Sequence, residues 1–206
     1  MITFYSKKQM ILYLDTETTG LYPGNICQLS YVMQDKTHVC AKNMFFSVDK
    51  VDYGAYLVHG FSAAKLKALS KGLRFADRFD EINDDFLAAD VVVSHNTAFD
   101  FMFLRAEYER LGKLFNVKKE FCSMKKSVPV CKIPKSRGNG YKYPKLYELC
   151  ENFGITESDV KEKTEELFRS GEAGFHDARF DATAVYLAMN EGMKRNDVLS
   201  ELEGYL

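Results

Sequence analysis

The apolar run Met10-Ile11-Leu12-Tyr13-Leu14 stops at Asp15, and Glu17 follows two residues later. Five consecutive apolar side chains need cover on both faces, so the run reads as a buried central strand. Residues two apart on a strand share a face, so Asp15 and Glu17 point one way and Thr16 the other. The chain must therefore build a covered sheet and deliver two carboxylates to one end of it. Thr18, Thr19 and Gly20 come next, and a glycine there supplies a turn or a close backbone approach to a ligand. Two desolvated acids on one face repel each other and are costly to ionise. A divalent cation resolves both problems, and an all-oxygen donor set suits magnesium or manganese. Taken alone, Asp-x-Glu most often marks a solvated polar strand end.

The remaining pattern supports such a sheet. Residues 27–34 and 38–46 read as strands, joined by the polar turn Gln34-Asp35-Lys36-Thr37. Residues 62–70 and 75–88 have helical spacing, 91–93 are a β-branched run, and 97–111 read as a helix. Pro129, Pro134, Pro144, Gly138 and Gly140 make 126–144 a long irregular loop. Helices follow over 145–153 and 178–192. A meander followed by strand–helix alternation predicts a mixed α/β sheet with helices on its faces. At 206 residues the chain is expected to be one domain. Hydrophobic residues at 46% exclude a mainly disordered chain. No apolar run near the start is long enough to span a bilayer, and no secretory leader pattern precedes it. Cys27, Cys40, Cys122, Cys131 and Cys150 are widely spaced with no Cys-x-x-Cys, as expected of reduced cytoplasmic thiols.

Two further segments carry candidate chemistry. His95-Asn96-Thr97-Ala98-Phe99-Asp100 follows the 91–93 strand and opens a helix, at the edge where strand ends gather. By itself Asp100 fits a helix-start acid favoured by the dipole. His176-Asp177-Ala178-Arg179-Phe180-Asp181 follows Gly171 and Gly174. Asp181 falls early in the last helix. His176, on the approach, suits a general base at neutral pH, and Asp177 suits either a cap or a partner for the imidazolium. By itself His176 is better read as a surface histidine before a capped helix.

Charge is unevenly spread. Residues 118–145 hold nine Lys or Arg and one acid, Glu120, so this window carries +8 within a chain of net charge −1. That excludes a uniformly basic coat and permits a local basic track. Taken alone, the window fits a solvated loop at least as well.

Together these segments resemble the DEDDh branch of the DnaQ-like 3′→5′ exonucleases, whose fold is RNase H-like. Asp15-Thr16-Glu17-Thr18-Thr19-Gly20 matches the first motif of that family, His95 to Asp100 its second, and His176 with Asp181 and Ala182 its third. His59-Gly60-Phe61 and the stretch 146–155 are similar to secondary family segments. Tyr-x-x-x-Asp, the mark of the tyrosine branch, does not occur at the last site. Cys122-Ser123 stands where the family often has Asp-Thr, and 126–144 matches no family motif.

The resemblance implies a mixed five-stranded sheet and two divalent cations, Mg2+ or Mn2+, held by Asp15, Glu17, Asp100 and Asp181. It implies that Asp15 serves both ions, that Glu17 and Asp181 complete the first, and that Asp100 holds the second. His176 would take the proton of the attacking water, with release of nucleoside 5′-monophosphates. Thr18 and the adjacent backbone would hold the terminal sugar, with Gly20, Leu21, Val58, His59 and Phe99 at the terminal nucleotide. The implied substrate is single-stranded nucleic acid, DNA before RNA, with a polymerase or a second copy as the protein partner. An RNA-trimming exonuclease and a binding module without catalysis are the alternatives.

Overall fold

The computed structural model describes residues 9–169, 173–195 and 199–206. Residues 1–8 and Gly171 lie outside them. In chain order the elements are β1 (Ile11–Thr18), β2 (Ile26–Gln34), β3 (Val39–Phe45), α1 (Tyr53–His59), α2 (Ala63–Leu69), α3 (Phe79–Ala88), β4 (Val91–Ser94), α4 (Thr97–Arg110), β5 (Glu120–Cys122), α5 (Ser123–Lys126), α6 (Val128–Cys131), α7 (Leu146–Asn152), α8 (Glu157–Phe168) and α9 (Ala178–Arg195). Short 3-10 helices occupy Phe75–Arg78 and Ser200–Tyr205.

One five-stranded sheet has the order β3-β2-β1-β4-β5, antiparallel on the β1–β2–β3 side and parallel across β1, β4 and β5. The apolar run occupies the centre, as its composition requires. Its odd residues Ile11 and Tyr13 pack with Val91, Val93, Phe180, Val185 and Met189 under α7, α8 and α9. Its even residues Leu12 and Leu14 pack with Val92, Phe86, Phe101 and Leu104 under α3 and α4. Strand alternation thus divides the core into two layers, and the acids at the end of β1 inherit that division.

Two departures from the sequence pattern have local causes. The expected irregular loop 126–144 contains the one-turn helix α6, with Pro129 at its start, where no amide donor is needed. It also contains an isolated antiparallel bridge between Pro134 and Tyr141. Helix α8 was not foreseen because its face is largely polar. Its signal is the reciprocal cap of Thr156 and Asp159. Among the described residues, no helix is long and apolar enough to cross a membrane.

Candidate active site

The acids stand where β1 leaves its neighbours. Leu14 is the last β1 residue paired with β4, opposite Ser94, so Asp15 stands at the mouth between two parallel strands. A register shift after Glu17 skips Cys27 on β2. Such a bulge bends the strand end and re-aims its side chains. Asp181 joins Asp15 and Glu17 from the first turn of α9, and one carboxylate oxygen from each of the three lies within 4.8 Å of the others.

Helix α9 is fixed against the sheet by Gln28, which lies opposite Glu17. The Gln28 amide donates to Asp177 at 2.9 Å and accepts from the Ala178 N–H at 3.2 Å. The Asp177 carboxylate also takes Arg179 at 2.6 and 2.8 Å. Asp177 is therefore engaged in clamping the helix start, the first of the two roles its position allowed.

Asp100 arrives from the opposite layer. Asn96 makes the sharp entry into α4 with φ 95°, a conformation asparagine tolerates better than most residues. Thr16, on the α4 face of β1, donates its hydroxyl to Asp100 at 2.8 Å. The fourth acid is thus held just outside the trio of Asp15, Glu17 and Asp181.

Burial raises the pKa of every member. Asp15 is held well above the usual carboxylate range, first by desolvation and then by its acidic neighbours. Glu17 is pushed up to about 9, Asp181 to about 7 and Asp100 to about 6, desolvation leading in each case. Four preorganised carboxylates that resist ionisation among themselves fit hard divalent cations, which supply the missing positive charge.

This electrostatic state has a direct consequence for stability. The folded chain retains protons that the same acids, with ordinary values of 3.8 and 4.5, release when unfolded. Stability from this source is complete below about pH 4 and is lost as pH rises through about 6, 7 and 9. The melting temperature of chelator-treated protein should therefore fall from pH 5 to pH 9. Millimolar Mn2+ should raise it, by an increment that grows with pH because the ligands must be deprotonated. Calorimetric scans at pH 5, 7 and 9 with and without Mn2+ check this, and a pH-independent increment would contradict the assignment.

Two cavities are lined by members of the acid row, one by Glu17 and the other by Asp15 and Asp181. The smaller, about 520 Å3, is lined by Thr16, Glu17, Thr18, Gly20, Leu21, Tyr22, Val58, His59 and Phe99 among others. It brings together all six residues expected at the terminal nucleotide. The Thr18 hydroxyl donates to the Gly20 carbonyl at 2.8 Å and closes the turn. A methyl group on Gly20 would collide with the Asp52 carboxylate, so this position admits only glycine without rearrangement. His59 is buried. Its Nε2–H donates to the Thr18 carbonyl at 3.2 Å, and its Nδ1 accepts from the Phe61 N–H at 3.0 Å. Both nitrogens are spent on the protein, and burial lowers its pKa, so it offers the cavity a neutral ring. Tyr22, Asp52 and Ala55 also line this cavity and were not singled out in the sequence, where no motif marks them.

The larger cavity, about 1020 Å3, is lined by Asp15, Asp181, His176, His95, Lys145 and Tyr147 among others. His176 is exposed, with φ 63°, and its backbone N–H lowers the pKa of the Asp181 carboxylate against the larger effect of burial. His95 plays a different part. Burial depresses its pKa to about 4, so the ring is neutral. Its Nε2–H donates to the Pro144 carbonyl at 3.0 Å, and its Nδ1 lies 3.0 Å from the Ser123 hydroxyl. Ser123, from the Cys122-Ser123 pair that departs from the family pattern, is thus a buried support of the second motif.

A mixed five-stranded sheet with this row of acids at the end of its central strand defines a DnaQ-like domain of RNase H-like fold. The chain belongs to the DnaQ-like exonuclease family that includes the DNA polymerase III epsilon subunits. It is 30% identical to DNA polymerase III subunit epsilon of Escherichia coli (strain K12) over 196 residues, covering 88% of this chain and 71% of that protein. It is 28% identical to the subunit of Rickettsia felis over 153 residues, covering 71% of this chain and 63% of that one. It therefore spans under two thirds of the Rickettsia relative's length. Solved structures share the fold at lower identity. Exonuclease I of E. coli, in complex with a dA16 oligonucleotide, superposes with TM-score 0.69 at 17% identity, over 96% of this chain and 43% of that one. The enzyme from Methylocaldum szegediense gives 0.69 at 16%, over 95% and 43%. No family model matches the chain.

Proposed function

We propose that this chain, acting as one domain, hydrolyses single-stranded nucleic acid, DNA before RNA, from its 3′ end and releases nucleoside 5′-monophosphates. The observation that carries this reading is a partly buried carboxylate row, beside an exposed histidine, whose members line two cavities. The solved exonuclease I complex with an oligonucleotide supports the substrate class. Asp15, Glu17 and Asp181 would hold one divalent cation, Mg2+ or Mn2+, and Asp15 with Asp100 a second. Such ions supply Lewis-acid activation of water and stabilise the departing 3′ oxygen.

The chain's own groups do the rest. The smaller cavity receives the 3′-terminal nucleotide, with the Thr18–Gly20 turn against the sugar and Leu21, Val58 and Phe99 against the base, a surface on which any base stacks. The scissile phosphate then falls over the acid row. His176 accepts the proton of the attacking water from the open side of the larger cavity. Gln28, Arg179 and Asp177 keep Asp181 in place while charge builds on the phosphate. The family also contains polymerase subunits, which makes a polymerase the first protein partner to test, with a second copy the alternative. Five free cysteines support a cytoplasmic setting.

The test is a Mg2+-dependent time course on 5′-labelled DNA and RNA of one sequence. A ladder descending by single nucleotides, faster on DNA, is the expected result. Intact substrate with Mg2+ and with Mn2+ would overturn the reading.

A further inference from the structure

The basic window becomes a defined object in the structure. Residues 133–142 fold back as a short hairpin. The Lys135 N–H donates to the Gly140 carbonyl at 3.1 Å, and the Lys142 N–H to the Ile133 carbonyl at 2.9 Å, around the Pro134–Tyr141 bridge. Gly138 and Gly140 supply the positive φ that the reversal needs, at 78° and 93°. The base is anchored twice. Lys142 pairs with Glu148 of α7 at 2.6 Å, and the Pro144 carbonyl accepts from His95 beside the acid row.

The hairpin and its base display cations and rings together. Lys42, Lys118, Lys119 and Lys126 are all paired with acids. Among the described residues, no acid lies within ion-pair distance of Lys132, Lys135, Arg137 or Lys145. Three tyrosines are exposed alongside them: Tyr141 at 46%, Tyr143 at 58% and Tyr147 at 43%. Lys145 and Tyr147 also line the larger cavity together with Asp15 and His176. Unpaired cations and exposed rings therefore run from the acid row to the hairpin tip.

We propose that this hairpin is an arm that holds the single strand upstream of the 3′-terminal nucleotide. Lys132, Lys135, Arg137 and Lys145 meet its phosphates, and Tyr141, Tyr143 and Tyr147 stack on its bases. A polyanion with flat rings matches both features at once, whereas an acidic peptide would leave the tyrosines unused. The direction of the strand rests on the exonuclease reading. If the smaller cavity takes the last nucleotide and the acid row takes its phosphate, the preceding nucleotides leave through the larger cavity towards the arm.

Two measurements test the arm separately from that reading. Fluorescence anisotropy with labelled dT20, between 50 and 200 mM salt, compares the wild type with K132Q/K135Q/R137Q. Loss of three phosphate contacts should lower the slope of log K against log salt by about 2. Y141A/Y143A should weaken binding at least tenfold with the slope retained. K50Q/K67Q/K113Q, which removes three exposed charges elsewhere, controls for net charge. In turnover, the ratio of kcat/KM for the 20-mer to that for a dinucleotide should fall at least tenfold in either hairpin variant. Equal slopes in wild type and hairpin variant, or an equal loss in the control, overturn the arm. Hairpin-dependent binding with no cleavage of any oligonucleotide by the wild type leaves the arm standing and removes the exonuclease reading instead.

Discussion

Asp15→Asn should abolish turnover, by at least a thousandfold, and at the same time raise the melting temperature of the metal-free protein at pH 8. The two effects have one origin. Burial opposes the charge of Asp15 most, and Asp181, Asp100, Glu17 and Asp177 oppose it further. A neutral amide of the same shape removes that burden and relieves Glu17 and Asp181 as well. One pKa unit of relief is worth about 1.4 kcal/mol. A gain of about 2 kcal/mol therefore needs little more than one unit across the cluster, and corresponds to roughly 4–8 °C in a chain of this size. Catalysis suffers because Asp15 is the residue assigned to both cations. A merely structural acid behaves in the opposite way, since its removal destabilises and spares activity. Calorimetry in chelator, beside the ladder assay, reads both effects, and a destabilised yet active variant would sink the assignment.

The parts of this site differ in how far the sequence discloses them. Asp15 and Glu17 were legible because a strand has a period of two and the run before them is uniformly apolar. The same rule put Thr16 on the other face. The structure shows the use of that face: Thr16 reaches across the end of β1 to fix Asp100, which belongs to the α4 layer. No local pattern connects positions so distant in the chain. Only the ordered set of motifs did so, through resemblance. Asp177 illustrates a different gap. Its position allowed a cap or a histidine partner, and the choice was made by Gln28, which lies far away in sequence but opposite Glu17 on the neighbouring strand. The hairpin was hidden by its own composition, because the prolines and glycines that read as irregular loop are also what a tight reversal between anchored ends requires. Helix α1 was missed for want of length, with seven residues and no side-chain cap at its start.

His176→Ala separates base from ligand. Its imidazole lines the larger cavity, whereas its backbone N–H is the group that lowers the Asp181 pKa. Alanine retains that backbone N–H, so the acid row should keep its geometry and its affinity for Mn2+. The Mn2+-induced rise in melting temperature should then match that of the wild type, while Asp15→Asn loses most of it. Turnover should fall by about 10^2- to 10^4-fold, the usual range for a positioned general base. The loss should lie in kcat, since the cavity proposed for the terminal nucleotide is lined by Glu17 and not by His176, and KM has no reason to rise. His176→Gly adds a control for the main chain, because φ 63° suits glycine without strain. It should fold at least as stably as the alanine variant and be equally slow. If His176→Gly recovers wild-type turnover, the side chain takes no proton and the segment acts through its backbone alone.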